Sequence, residues 1–244
     1  KQMAIASGME KVFVIGPVFR AEKSKTNKHA TEFTGFDLEF SGVKNCYDVM
    51  KVEEKLLTYM LKKVANKYGK EIERLFNTTV VIPNAKFPVM SLKDIYNKLN
   101  EKYNYVVNDN EKGDINAEGE KLIYKLAKEE FNSEFMFIVG YDNEHRPFYH
   151  SRNKNNQPDG FDLIYRGVEI TSGAKREKRF DVLKKQAEEK GLANDVKFYL
   201  DFFKYGCPPH GGFGIGLDRL TMLLLGINIK EVQFVFRNPD RLTP

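Results

Sequence analysis

Residues 11–21 form a largely apolar run, and residues 33–41 alternate apolar and polar residues with a period of two. These patterns predict two β-strands joined by a polar loop at residues 22–31. Side chains on a strand point alternately to its two faces. The second strand should therefore have one apolar face and one polar face, the first made of Phe36, Leu38 and Phe40 and the second of Phe33, Gly35, Asp37 and Glu39.

Apolar residues recur at helical spacing farther along the chain. Residues 46–68 predict a long amphipathic helix, and Ser91 with Asp94 forms a variant capping box for a helix that runs to Leu99. Further helices are predicted at residues 117–131, 180–191, 195–205 and 218–225, and Gly226 should end the last of them.

Strands are predicted between these helices, one at residues 135–139 and two within 161–171 around a turn at Arg166-Gly167. Strands and helices do not alternate in regular βαβ units. The pattern therefore predicts an α+β fold in which helices flank an antiparallel sheet.

The composition is that of a globular protein of 244 residues, long enough for one large domain or two small ones. The net charge of +5 is compatible with an RNA partner. Cys46 and Cys207 show neither metal-ligand spacing nor a disulfide framework, which favours a reducing, cytoplasmic location.

No segment approaches the ~20 consecutive apolar residues of a membrane span, and no signal peptide opens the sequence, so no membrane association is expected. The sequence begins with Lys1 rather than Met, and we expect it to belong to a longer protein.

Two arginines lie in glycine-marked segments at opposite ends of the chain, Gly16-Pro17-Val18-Phe19-Arg20-Ala21-Glu22 and Gly214-Ile215-Gly216-Leu217-Asp218-Arg219. The first arginine lies on a predicted strand and the second opens a predicted helix. Guanidinium groups bind phosphate through paired hydrogen bonds and stay protonated at any physiological pH. The chain has no Gly-x-x-x-x-Gly-Lys loop, and residues 212–216 do not match a dinucleotide-binding Gly-x-Gly-x-x-Gly. The two segments therefore predict an ATP site of a different kind.

These segments resemble motifs 2 and 3 of the class II aminoacyl-tRNA synthetases, and the chain as a whole resembles the catalytic domains of the archaeal and eukaryotic aspartyl-tRNA synthetases. The most specific stretches are residues 16–39, 146–149, 161–176 and 204–220. The resemblance implies one catalytic domain over residues 1–244, with a small variable insertion at about 70–135. In the family, motif 1 at a dimer interface and an anticodon-binding OB-fold domain precede this part, which implies a homodimer.

The resemblance also implies the reaction. L-aspartate is activated by ATP with Mg²⁺, and the aspartyl group passes to the acceptor end of tRNA(Asp). Arg20 and Arg219 would be the catalytic residues, with Arg20 at the α-phosphate and Arg219 at the γ-phosphate. Phe33 would stack on adenine, and Glu22 would accept a hydrogen bond from its amino group. The ATP-binding set would comprise Arg20, Ala21, Glu22, Lys28, His29, Ala30, Phe33, Glu169, Gly214, Ile215, Gly216, Leu217 and Arg219.

The same resemblance assigns the aspartate pocket. Arg176 would grip the β-carboxylate as a bidentate partner and so reject neutral asparagine. Asp37 would hold the α-ammonium group, and Lys1 would contact the substrate side chain. The implied aspartate-binding set is Lys1, Arg20, Asp37, Ser172, Arg176 and His210.

Asp162 and Glu169 flank the turn at Arg166-Gly167, so adjacent strands could bring both carboxylates to one site. By spacing alone they are equally well two unrelated surface acids. The resemblance favours a Mg²⁺ site made by Asp162, Glu169 and Ser172, because Mg²⁺ prefers oxygen ligands.

Four residues depart from the family pattern. Lys28 replaces an arginine, Lys175 replaces a glutamine, and Glu177-Lys178 stands in place of Ile-His. Two other functions stay open: a freestanding synthetase-like ligase that makes asparagine from aspartate, and a non-catalytic RNA-binding paralogue. Without the motifs, Arg20 and Glu22 would be read as an exposed cross-strand ion pair.

Overall fold

One seven-stranded sheet organises the chain, and its strands follow the spatial order β1-β2-β7-β6-β5-β4-β3. The computed structural model describes residues 1–21, 28–108 and 112–243. All neighbouring strands are antiparallel except β3 and β4, which are parallel. The strands are β1 (Lys11–Phe19), β2 (Glu32–Ser41), β3 (Val89–Ser91), β4 (Phe135–Val139), β5 (Gly160–Tyr165), β6 (Val168–Lys175) and β7 (His210–Gly216). The predicted α+β fold with an antiparallel sheet is confirmed, with one parallel pair at its edge.

Helices cover both faces of this sheet. They are α1 (Gln2–Ala6), α2 (Cys46–Phe76), α3 (Leu92–Tyr103), α4 (Ala117–Phe131), α5 (Phe180–Glu189), α6 (Lys197–Phe203), α7 (Leu217–Leu225) and α8 (Ile229–Val232). A short 3₁₀ turn lies at Asn143–His145. Within the described residues no helix is both long and apolar enough to span a lipid bilayer.

The predicted elements agree closely with the observed ones where a local signal marks their ends. α4 and β4 have the predicted bounds, and Gly226 ends α7 in the left-handed conformation. Ser91 caps α3 by accepting a hydrogen bond of 3.1 Å from the Asp94 amide. α2 extends beyond the predicted end to Phe76, where Asn77 adopts φ 49°.

The back face of the sheet packs against α2. Phe161, Leu163 and Tyr165 of β5 and Phe213 and Ile215 of β7 form this core together with apolar residues of α2. Phe36, Leu38 and Phe40 of β2 also lie against it, as the period-two pattern predicts. The opposite face of each strand is therefore free to form the front of the molecule.

On the front face, α3 and α4 cover the end of the sheet that contains β4, and α4 also reaches β6, where the Glu169 amide donates to Glu120. Met136 and Ile138 of β4 pack there against Leu99, Ile123 and Leu126. A third cluster joins α5 and α6 around Leu183 and Phe203. The middle of the front face, over β2, β7, β6 and β5, carries short and polar side chains, and it is where the cavity described below lies.

Glu53 is a carboxylic acid placed in the back core by α2. It is 0% exposed, and neither of its carboxylate oxygens has a hydrogen-bond partner of standard geometry among the described residues. Burial raises its pKa from 4.5 to about 8, the nearby Thr171 hydroxyl opposes that rise, and Asp162 adds to it. Glu53 is therefore mostly protonated at neutral pH.

Glu53→Gln should stabilise the protein at high pH and change little at low pH. The folded state holds the Glu53 proton more tightly than the unfolded chain does, so its contribution to stability is present below pH 4.5 and is lost as the pH rises towards 8. Glutamine resembles the protonated acid and does not titrate. Urea unfolding should give similar free energies for the two proteins near pH 5. At pH 8 the variant should be more stable, by on the order of 2–4 kcal/mol.

Glu71→Gln on the exposed side of α2 is the matched control and should show no pH-dependent difference. An equal gap between Glu53→Gln and wild type at pH 5 and pH 8 would contradict the assignment of a buried, protonated Glu53.

Candidate active site

A row of residues crosses the front face of the sheet in direct strand register. Asp37 of β2 lies opposite Gly214 of β7, Gly214 opposite Ser172 of β6, and Ser172 opposite Asp162 of β5. The neighbouring row joins Glu39, Gly212, Ala174 and Gly160 in the same order of strands. Two carboxylates thus lie at opposite ends of a flat floor made of glycine, alanine and serine.

The flat floor requires glycine at two positions. A Cβ atom on Gly212 would lie 2.0 Å from the Leu38 carbonyl oxygen, and one on Gly214 would lie 2.6 Å from an oxygen of Asp37. Real Cβ atoms do not approach other atoms so closely. The glycines of β7 therefore hold this strand in the sheet while they leave room above it.

Arg20 and Arg219 both line the cavity over this floor. Arg20 directly follows β1, and its guanidinium lies 5.2 Å from the centre of the Phe33 ring. Arg219 lies in the first turn of α7, where its Nε donates to the Lys28 carbonyl at 3.1 Å and its Nη1 to the Glu169 carbonyl at 2.9 Å. The two arginines that are far apart in sequence thus belong to one site.

Most of the predicted ATP-binding residues line the same cavity. They are Arg20, Lys28, His29, Ala30, Phe33, Glu169, Gly214, Ile215, Gly216 and Arg219. Two residues do not: Ala21 borders a neighbouring surface pocket, and Leu217 packs against the back core. Glu22 lies outside the described residues. The ATP-binding roles themselves stay predictions.

The predicted aspartate pocket contains two pairs of opposite charges. Lys1 Nζ lies 3.2 Å from Asp37 Oδ2. Arg176 is buried and donates from Nε and Nη2 to Glu39 Oε1, at 3.0 and 2.8 Å, and from Nη2 to the Gly212 carbonyl at 3.1 Å. The Glu39 contact fixes the plane of the Arg176 guanidinium. Sequence reasoning did not single out Glu39, although it shares the strand face of Asp37.

His210 lies behind the pocket and does not line the cavity. It is fully buried, and its Nδ1 donates to the Pro208 carbonyl at 3.0 Å. Burial lowers the pKa of His210, so the ring is neutral at neutral pH. Its backbone carbonyl accepts from the Arg176 amide at 2.9 Å. In this structure His210 supports Arg176, and direct contact with aspartate stays a prediction.

The predicted metal ligands lie close together, but Asp162 already has a partner. Arg146 donates from both terminal nitrogens to the two oxygens of Asp162, and from Nη1 to the Ser172 hydroxyl at 3.2 Å. Burial, and then the Asp162 charge, raise the pKa of Glu169, while Arg219 opposes the rise. The described residues contain no cluster of three or more His, Cys, Asp or Glu side chains arranged to hold a metal.

Several residues of the site were not identified as site residues from the sequence. Arg146 stacks on the Tyr141 ring at 3.6 Å, and Tyr149 lies 5.2 Å from the Arg176 guanidinium. His150 lines the cavity as a neutral ring, because burial and then the charges of Arg176 and Arg146 lower its pKa well below the ordinary value. Of these residues, Arg146 and Tyr149 lie in the family-specific stretch at residues 146–149, which was the sequence signal for them. No sequence signal marked Glu120 of α4, which pairs with Lys28.

Comparisons with known proteins identify the family of this chain. Residues 1–238 match the family described as tRNA synthetases class II (D, K and N), and the chain belongs to that family. It is 41% identical over 256 residues to the aspartate–tRNA(Asp/Asn) ligase of Aeropyrum pernix, covering all of this chain and 56% of that protein. It is 39% identical to cytoplasmic aspartate–tRNA ligase 1 of Dictyostelium discoideum, covering all of this chain and 43% of the relative. The chain thus spans about half the length of the curated relatives it matches.

A solved structure confirms the fold. The aspartyl-tRNA synthetase of Entamoeba histolytica superposes with a TM-score of 0.90 at 35% identity, covering all of this chain and 51% of the other. The asparaginyl-tRNA synthetase of Pyrococcus horikoshii, solved with asparaginyl-adenylate, superposes with a TM-score of 0.87 at 33% identity, covering all of this chain and 56% of the other. The class II synthetase fold predicted from the motifs is therefore confirmed.

Proposed function

We propose that the protein to which this chain belongs is an aspartate–tRNA ligase. It activates L-aspartate with ATP to aspartyl-adenylate and transfers the aspartyl group to the 3′ end of tRNA(Asp). The observation that carries this proposal is the single cavity that Arg20 and Arg219 line together, with the Lys1–Asp37 and Arg176–Glu39 pairs beside it. The aspartate ligases among the relatives support the choice of amino acid.

The reaction needs positioned charge and no protein nucleophile. The aspartate α-carboxylate attacks the α-phosphorus of ATP, and pyrophosphate leaves with the electron pair of the broken P–O bond. Negative charge grows on the phosphate oxygens, and Arg20 and Arg219 stabilise it. Contacts with two backbone carbonyls hold Arg219 in place before ATP arrives, which lowers the cost of ordering it.

Mg²⁺ is the proposed cofactor, and the residues fit it in part. The Glu169 carboxylate and the Ser172 hydroxyl are oxygen donors at the cavity, as Mg²⁺ requires. Each Asp162 oxygen already accepts a hydrogen bond from Arg146, so Asp162 would bind the ion through a remaining lone pair. When bound, Mg²⁺ would offset phosphate charge and would favour the ionised form of Glu169, whose pKa is raised by burial and then by the Asp162 charge.

We further propose a cytoplasmic homodimer that binds the tRNA acceptor end. β1 is the edge strand of the sheet, and its Phe13, Ile15 and Phe19 are 65, 58 and 72% exposed. An exposed apolar edge strand of this kind is typical of a surface that another segment or a second chain covers. The Dictyostelium relative is named as cytoplasmic, which supports the location.

Arg219→Ala should reduce aspartate-dependent exchange of pyrophosphate into ATP by at least ~10³-fold, the loss expected when a main transition-state charge is removed. The assay uses the full-length protein with labelled pyrophosphate. Arg241→Ala, a substitution of an exposed arginine near the end of the chain, serves as the control. If pyrophosphate exchange continues at the normal rate in Arg219→Ala, residues other than Arg219 bind the ATP phosphates.

Charging of RNA should separate the synthetase from an asparagine-forming ligase. With ATP, aspartate and tRNA, the full-length protein should attach aspartate to tRNA(Asp). With ammonia and no tRNA, it should release no asparagine. Free asparagine in the second reaction would overturn the proposed function. A protein that binds ATP but neither charges tRNA nor releases asparagine would be a non-catalytic paralogue.

Selectivity for aspartate should depend on Arg176. Its guanidinium can make charge-assisted hydrogen bonds to a carboxylate, whereas opposite an amide it stays a half-paired, desolvated cation. Arg176→Gln should lower the activation of aspartate by at least ~10²-fold and hardly change the weak activation of asparagine. Lys1→Met should act in the same direction but less strongly, because an ammonium is a less directional partner.

The matched control is Arg179→Gln, three residues away, whose side chain is exposed and pairs with Glu177. It should leave both activities unchanged. Melting temperatures are needed alongside, because Arg176→Gln also leaves Glu39 without its partner. Equal losses with aspartate and asparagine would show that Arg176 supports the fold or the ATP site and does not read the side chain.

A further inference from the structure

We propose that Glu120, at the start of α4, is a positioning residue for ATP. It holds the Lys28 ammonium at the wall of the cavity and so fixes one cation that faces the triphosphate. This inference rests on the proposed function and assigns a part in it to the segment at about 70–135, which sequence reasoning treated as a variable insertion.

The first observation is a closed ring of contacts at one wall of the cavity. Arg219 donates to the backbone carbonyls of Lys28 and Glu169. Glu120 completes the ring from the other side, because its Oε2 accepts from Lys28 Nζ and its Oε1 from the Glu169 amide at 3.4 Å. Lys28 and Glu169 thus each form hydrogen bonds with both Arg219 and Glu120.

The second observation is the burial of this ion pair. The side chains of Lys28 and Glu120 are 19 and 8% exposed. Water screens a pair in this position far less than a surface pair, and a lone Glu120 carboxylate would be costly. The pair is therefore a fixed part of the wall, unlike the exposed Lys125–Glu129 pair on the same helix.

Hydrogen bonds at the start of α4 give Glu120 a defined place. Asn116 caps the helix through Oδ1, which accepts from the amides of Glu118 and Gly119 at 3.1 and 2.9 Å, and from the Tyr105 hydroxyl at 2.9 Å. Gly119 lets the helix approach this tyrosine, since a Cβ there would lie 3.1 Å from the Tyr105 hydroxyl oxygen. The capped first turn thus presents Glu120 to the cavity wall.

The chemistry of lysine explains why such a partner matters. An ammonium group on a four-carbon stem has three donors and no preferred plane, and ordering it costs conformational entropy. Glu120 occupies one donor direction and fixes the stem, which leaves the other donors for phosphate oxygens. The geometry links α4 to ATP through Lys28, a residue that lines the cavity.

Glu120→Gln in the full-length protein tests the proposal, because it keeps the side-chain shape and removes the charge. We expect the KM for ATP to rise by about tenfold or more, which corresponds to about 1.4 kcal/mol. The KM for aspartate should stay near the wild-type value, while the melting temperature should fall, because the mostly buried Lys28 ammonium then lacks its partner. Calorimetric titration with ATP and Mg²⁺ alone should show the same loss of affinity. An unchanged or lower KM for ATP would overturn the proposal.

Glu118→Gln, an exposed residue in the same helical turn, is the matched control and should change none of these values. Lys28→Met tests whether Glu120 acts through Lys28. Adding Glu120→Gln to Lys28→Met should produce no further rise in the KM for ATP. A full additional rise would show that Glu120 does not act through Lys28, and the proposal would fail.

The two proposals fail in different ways. Wild-type protein that binds ATP without aspartate-dependent exchange contradicts the proposed function, whereas the effect of Glu120 on ATP binding can still be measured. Normal exchange together with unchanged ATP affinity in Glu120→Gln contradicts only the role of Glu120.

Discussion

The pairing register of β2, β7, β6 and β5 determines which side chains can reach the cavity. Because the side-chain period of a strand is two, a slip of one residue would turn Asp37 or Asp162 into the back core. The apolar residues that face α2 oppose such a slip, since it would bring them to the open front face. The same packing that stabilises the fold therefore aligns Asp37, Gly214, Ser172 and Asp162 across the floor of the site.

Buried pairs of opposite charge surround this floor and keep its cations in place before any ligand binds. Arg176 is held by Glu39, Arg146 by Asp162, and Lys28 by Glu120. Breaking such a pair leaves an uncompensated buried charge, which is strongly destabilising. Neutral rings fill the space beside these pairs, because burial lowers the pKa values of His150 and His210. The site is thus pre-organised for anionic ligands, the property expected where catalysis depends on positioned charge.

Local signals allowed the sequence to predict much of this fold. Helix α4 was predictable from its apolar period, and the two faces of β2 from strict alternation. β7 was missed because its glycines have low strand propensity, and it forms only through pairing with β2 and β6. The motifs identified Arg20, Arg219 and Arg176, but the acids paired with arginines and lysines come from distant segments. Glu120 is an example, because only tertiary packing brings α4 to Lys28, and no sequence spacing predicts that contact.

We propose that one cavity binds ATP between Arg20 and Arg219, with aspartate at the Asp37 end of the floor. A crystal structure of the full-length protein with a non-hydrolysable analogue of aspartyl-adenylate would test this claim most directly. The account predicts the phosphate mimic within hydrogen-bonding distance of Arg20, the adenine ring against Phe33, and the aspartyl side chain next to Arg176. An analogue bound outside this cavity, or bound in it with the aspartyl group pointing towards Glu169, would contradict the account.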